Sequence, residues 1–173
     1  MERVDTMKKI HSFITSLIDW LAMINIVILA VALFVGVLAR YVFSYSIPEI
    51  EVVRKFAIMW LVFLGSAIAV REDLHLKIDI LTEYLSERGK RIKTVVVYFL
   101  NTVGIIILIL VGNAALKASL NRREMVFIRF LSSPPSLAYY YSAFLVGSVF
   151  MLYYHLLNAK DLATNLRKEV DKK

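Results

Sequence analysis

Four stretches of the chain, residues 20–39, 56–70, 94–116 and 130–159, contain no Asp, Glu, Lys or Arg, and together they make up half of the 173 residues. A hydrocarbon core about 30 Å thick is crossed by about 20 apolar helical residues. Three of the stretches therefore span it outright, and the shortest does so with its flanks. The pattern predicts an all-α integral membrane protein with four transmembrane helices and additional interfacial amphipathic helical segments. The helices are expected over about residues 8–40, 47–70, 94–116 and 134–158, in a single membrane domain covering 1–173.

Local patterning refines these boundaries. Lys8, Ser12, Thr15, Ser16 and Asp19 share one face of the first helix, and Ile10, Phe13, Ile14, Leu17 and Leu21 the other, so an amphipathic start runs into the span. Ser46-Ile47-Pro48-Glu49 has the form of a Ser-x-x-Glu capping box with proline in the first turn, which places the start of the second helix at 47. From there to Val70 the helix is about 36 Å long at 1.5 Å per residue. Gly65 and Ala69, four apart, permit close approach of another helix. Over residues 76–89, Leu81 and Leu85 join Leu74, Ile78 and Ile92 on one face, with Lys77, Thr82, Glu83 and Ser86 away from it. This reads as an amphipathic helix in the membrane surface ended by Gly89, with a soluble loop helix as the alternative. The serines and prolines of Ser132-Ser133-Pro134-Pro135 are expected to open the fourth helix. Tyrosines 139–141 and 153–154 mark the two aromatic belts.

Charge sets orientation and narrows the chemistry. Fourteen of the 21 Lys and Arg lie in the N-terminal segment, residues 71–93 and the C-terminal tail, against seven in residues 40–55 and 117–129, which puts both termini in the cytoplasm. Lys8 and Lys9 before an apolar run resemble a signal peptide, but the run continues unbroken to Ala39, so an uncleaved first helix is expected. The net charge of +7 is the basic excess of membrane loops. No basic segment carries interleaved stacking aromatics, so no nucleic acid is expected, and membrane lipids are the surrounding partner. The absence of cysteine removes disulfides, thiolate metal sites and cysteine nucleophiles. His11, His75 and His155 invite a haem reading, which would make the chain a membrane anchor of a respiratory enzyme, but no two of them face each other across the expected bilayer interior. Neither an intramembrane carboxylate nor a broken helix is visible, so the chain is not expected to transport by itself. Glu51, Arg54 and Lys55 lie at i, i+3 and i+4 on the first turns of the second helix; they form a surface ion pair or a docking feature for another protein.

At this point the residues resemble a family. Arg40-Tyr41-Val42-Phe43 is followed by an acidic and a basic residue ahead of Trp60-Leu61-Val62-Phe63-Leu64-Gly65-Ser66-Ala67, and then by Arg71, His75 and Asp79. This ordered set is similar to the small membrane subunit of tripartite ATP-independent periplasmic (TRAP) transporters, the DctQ type. The resemblance is carried mainly by residues 40–81. Where the family often shows two adjacent acidic residues before the tryptophan, Glu49 and Glu51 here are separated, and either one can take that role.

The resemblance implies an accessory, non-catalytic subunit of a sodium-coupled importer of organic acids such as dicarboxylates, sialic acids or other carboxylates, in the bacterial inner membrane. Its implied partners are a large multi-helix permease subunit, which carries the substrate and sodium sites, and a periplasmic substrate-binding protein. No cofactor is expected in this chain. Arg40, Glu49, Glu51, Arg54, Lys55, Trp60, Gly65 and Ala69 are the candidate interface residues, and Arg71, His75 and Asp79 the remaining motif positions.

Overall fold

The computed structural model describes residues 2–72, 86–126, 128 and 133–170, with the side chains of 2–8, 10, 87 and 160–170 left aside. The described residues form four helices, α1 (Glu2–Tyr41), α2 (Pro48–Arg71), α3 (Glu87–Ser119) and α4 (Ala138–Val170), and no strand. Each contains a stretch long and apolar enough to cross a membrane: His11–Tyr41, Pro48–Arg71, Arg88–Ser119 and Ala138–Ala159.

The helix starts differ from the expected ones for identifiable reasons. Ile47, not Ser46, caps α2; it is extended at φ −102° and ψ 100°, and no side chain bonds to the cap. The residue before a proline is pushed out of the α region, so Pro48 forces Ile47 to be the last non-helical residue and the capping box is displaced. Pro48 itself occupies the first turn, where its missing N–H costs nothing. Gly89 does not end a surface helix: its N–H donates to Ser86 Oγ at 3.3 Å, the N-cap of α3, and the basic residues that follow are helical and run straight into the span. The expected amphipathic segment 76–89 lies otherwise outside the described residues.

The fourth helix starts at Ala138 rather than at the prolines. Two consecutive prolines each hold the preceding residue extended, and the chain uses that conformation. Glu124 N–H donates to Pro135 O at 2.9 Å and Leu137 N–H to Arg122 O at 3.0 Å, around an antiparallel bridge between Arg123 and Ser136. Ser136 Oγ then accepts the Ala138 N–H at 3.2 Å and opens α4.

Among the described residues, backbones come close in only three pairs, α1 with α2, α2 with α4 and α4 with α3. The helices thus stand in a row in the order α1, α2, α4, α3, and chain neighbours α2 and α3 are separated by α4. Burial follows this order, with 33% of the apolar window of α4 buried against 11% of that of α3 at the edge. The core joins Ile18 and Ala22 of α1, Leu64, Ala67 and Val70 of α2, Ile105 of α3, and Met151 and Tyr154 of α4. The spacing 64, 67 and 70 keeps one face of α2 turned inward.

The α2–α4 crossing is set by a glycine. A Cβ on Gly147 would lie 2.6 Å from Phe63 Cβ, 2.8 Å from Phe63 O and 2.9 Å from Phe63 C, so only glycine lets the two backbones meet there. Phe63 and Phe144 stack beside this contact, with centroids 4.5 Å apart and planes at 15°. Gly112 of α3 plays a milder version of the role, 3.3 Å from Leu145 Cα of α4. Gly65, expected at a close approach, has nothing within 4 Å of where its Cβ would be: the small residues that pack α2 within this chain are Ala57 and Ala67, both fully buried.

Candidate functional site

The motif residues separate into two clusters, one at each end of the row. The first cluster begins where α1 ends. Val42 N–H donates to Leu38 O at 2.9 Å, Tyr45 N–H to Ala39 O at 2.9 Å, and Ser44 sits at φ 50°, turning the chain toward α2. On the first turns of α2, Glu49 and Glu51 place negative charge at the positive end of the helix dipole. Glu51 pairs with Arg54 one turn on, as their spacing suggested.

Lys55 does not join that pair. Its Nζ donates to Glu124 Oε1 at 2.8 Å, across 69 residues of sequence. Glu124 sits in the α3–α4 connection with its side chain 9% exposed, held by the Pro135 bond described above. Trp60 Nε1 donates to Tyr139 O at 3.3 Å one and a half turns deeper, and the Phe56 ring lies 6.0 Å from the Trp60 ring. Lys55 and Trp60 therefore fasten the α3–α4 hairpin to α2. Arg123 closes the hairpin itself, donating to Ser133 Oγ at 2.9 Å and Pro134 O at 3.3 Å. Arg40, at the end of α1, is exposed and has no side-chain partner among the described residues.

The second cluster, at the opposite ends of the helices, is built on Arg71, the last residue of α2. Its Nη1 donates to Asp19 Oδ1 of α1 at 2.8 Å and its Nε to Glu72 Oε1 at 2.9 Å, while its guanidinium carbon stands 5.9 Å from the centre of the Tyr154 ring on α4. Three helices thus meet on one cation. Around it, Asn158 Nδ2 donates to Val70 O at 2.8 Å, satisfying a carbonyl of the last turn of α2. Thr15 Oγ1 lies 3.4 Å from Tyr154 Oη, and His11 Nδ1 lies 3.1 Å from Tyr153 Oη. The side chain of Asp19 is 42% exposed, so its pair with Arg71 contributes at most about 1 kcal/mol and serves mainly to fix register.

His155 is 5% exposed and joins α4 to α3: its ring stacks on Tyr98 at 4.1 Å between centroids, and its Nε2 lies 2.8 Å from Thr102 Oγ1. Thr102 Oγ1 also lies within hydrogen-bond distance of Tyr98 O, at 2.9 Å. Among the described residues no three His, Asp or Glu side chains converge as a metal site would require.

The model of the DctQ component of tripartite ATP-independent periplasmic transporters matches residues 9–165, all four spans included. The chain belongs to the DctQ family. A protein of Haemophilus influenzae named "Putative TRAP transporter small permease protein" is 27% identical over 86 residues; the match covers 50% of this chain and spans about half, 53%, of that relative. Membership makes this a DctQ component of a tripartite ATP-independent periplasmic transporter.

Within the DctQ chain the candidate positions have distinct surroundings. Glu51, Arg54, Lys55 and Trp60 are brought together at the first end of α2, with Arg40 and Glu49 nearby on the same side, and Arg71 stands alone of them at the other end. Gly65 and Ala69 lie between, with Gly65 on a face this chain leaves open. His75 and Asp79 lie outside the described residues. Sequence reasoning missed Glu124, Asp19 as the partner of Arg71, and the Tyr98–Thr102–His155 group. For the last, a signal was available in one helix face of α3 carrying polar Tyr98 and Thr102 at i and i+4 within an apolar run.

Proposed function

We propose that this DctQ chain is the static wall of a sodium-coupled TRAP importer of organic acids, lying in the bacterial inner membrane with both termini cytoplasmic. It braces the large permease subunit and offers its outer end to the periplasmic substrate-binding protein. The observation that carries the reading is the single row α1, α2, α4, α3. Helices in a row keep two broad flanks, and all four carry large exposed apolar side chains, such as Phe34 of α1, Val62 of α2, Val149 of α4 and Phe99 of α3. Such a body is suited to lie along a larger membrane protein. The ion pairs stand at the ends, Glu51–Arg54 and Lys55–Glu124 at one and Asp19–Arg71 at the other, where they hold the row without placing charge in the hydrocarbon.

Reconstituted alone in liposomes, the chain is expected to move no organic acid under a sodium gradient, and to support uptake when its large permease and binding protein are added. Sodium-driven uptake by the single chain would refute the accessory role. Glu51→Lys is expected to leave the membrane complex intact and to slow uptake in a salt-dependent manner, because exposed charge acts on encounter rates more than on stability. Loss of the large permease from that variant during purification would assign Glu51 to the membrane interface instead. Reporter fusions after Asn121 and Lys173 are expected to lie on opposite sides of the membrane, the second in the cytoplasm.

A further inference from the structure

A half-open groove of about 240 Å³ lies between the last turns of α1 and the first turns of α2. Its deep wall is Ala32, Leu33 and Gly36, and its rim is Arg40, Glu51 and Arg54. From Arg40 down to Ala32 the groove follows α1 for about 12 Å at 1.5 Å per residue. Residue 36 at the floor is glycine, and a Cβ there would stand 3.5 Å from Ile50 Cγ2, an ordinary packing contact that would narrow the groove. The groove is therefore charged at the level where the α1 span ends and apolar where it enters the hydrocarbon. Tyr41 and Phe43, 79% and 73% exposed, flank the charged level as interfacial aromatics do.

The charges specify what fits. Glu51 is engaged by Arg54, which neutralises both, while Arg40 has no side-chain partner among the described residues. The rim thus carries one net positive charge, supplied by a guanidinium whose planar fork suits phosphate oxygens. An ammonium headgroup finds no free carboxylate on the rim. We propose that the groove binds the phosphodiester of an anionic glycerophospholipid of the outer leaflet, of the phosphatidylglycerol class, with Arg40 on the phosphate and one acyl chain running along α1 past Gly36. The lipid would complete the α1–α2 seam at its open end.

The test is native mass spectrometry of the full chain in detergent, titrated with phosphatidylglycerol and with phosphatidylcholine of identical acyl chains. The wild type is expected to retain one phosphatidylglycerol with about tenfold preference, the scale of one charge–charge interaction at a partly buried site, because both lipids offer the same phosphodiester but the choline ammonium cancels the net charge beside Arg40. Arg40→Gln is expected to abolish the preference and Arg40→Lys to keep most of it. Gly36→Leu, which fills the floor, is expected to weaken retention of both lipids. Arg123→Gln, on the same side but outside the groove, is expected to change nothing. Equal retention of the two lipids by the wild type, or an undiminished preference in Arg40→Gln, would overturn the proposal. A benzophenone amino acid in place of Leu33 in native membranes is expected to label lipid; attachment to a polypeptide would show the groove to be a protein contact and overturn it as well.

Discussion

Replacing Gly147 by alanine adds one methyl group at the α2–α4 crossing, and the structure sets how that group is received. The new carbon would stand 2.6 Å from Phe63 Cβ and under 3 Å from two backbone atoms of the same residue, so no side-chain rotation relieves the contact and the helices must part. Overpacking of this kind costs about 1–3 kcal/mol, and two backbone atoms among the three contacts place Gly147→Ala in the upper part of that range. Against it, alanine gains about 1 kcal/mol over glycine in a helix interior. The net expectation is a loss of about 1–2 kcal/mol, with the Phe63–Phe144 stack and the Trp60 bond to Tyr139 disturbed beside it. Gly104→Ala supplies the control, since nothing lies within 4 Å of its added carbon and it keeps the helical gain alone. Reversible unfolding in mixed micelles, followed by tryptophan fluorescence, should therefore separate the two variants by about 2–3 kcal/mol with Gly104→Ala the more stable. A Gly147→Ala chain as stable as Gly104→Ala would refute the close crossing.

Three further outcomes are expected. A double-mutant cycle with Lys55→Gln and Glu124→Gln should give a coupling of about 1 kcal/mol, with faster proteolysis of the α3–α4 connection in either single variant; no coupling would mean the hairpin is not held through this pair. Asp19→Arg and Arg71→Asp should each lower stability by about 1 kcal/mol or more, and the double exchange should recover part of the loss, whereas equal damage in all three would place the role of Arg71 in its contact with Tyr154. Gly65→Leu should not lower the stability of the isolated chain, because the site is open among the described residues, yet reduce copurification of the large permease; unchanged copurification would turn the Gly65 face toward lipid.

The four spans were legible because a 20-residue apolar run free of charge has one common meaning in a chain of this length. Their order in space was not, since hydropathy records how much lipid a helix tolerates and not which neighbour replaces it. The glycines show the same limit. Gly65 and Ala69 are small residues four apart, and so are Ala143 and Gly147; only the second pair falls on the crossing, and the sequence does not say where a crossing falls. The i, i+3 pairing of Glu51 with Arg54 follows from helical geometry alone, while that of Lys55 with Glu124 depends on the two prolines drawing the hairpin back over α2. The displaced starts of α2 and α4 have one cause: a proline holds the residue before it extended, so α2 opens on Pro48 itself and the Pro134-Pro135 pair delays α4 to Ala138.

The place of α4 between α2 and α3 constrains how the protein is made. As the chain emerges from the ribosome, α1 and α2 find each other at once, but α3 leaves the translocon with no neighbour to receive it, since its contact is with a helix not yet synthesised. Its exposed Ile, Val and Leu side chains let it wait in lipid. Then α4 has to insert into the gap between α2 and α3, and in doing so it buries Ser148, Tyr154 and His155, the polar groups least suited to remain among acyl chains. A chain stalled after α3 would therefore be a membrane-inserted intermediate with the α1–α2 hairpin closed and α3 adrift, recognisable by protease access to residues 120–126 beyond α3 and suited to quality control, because the final step of synthesis is also the one that joins the two halves.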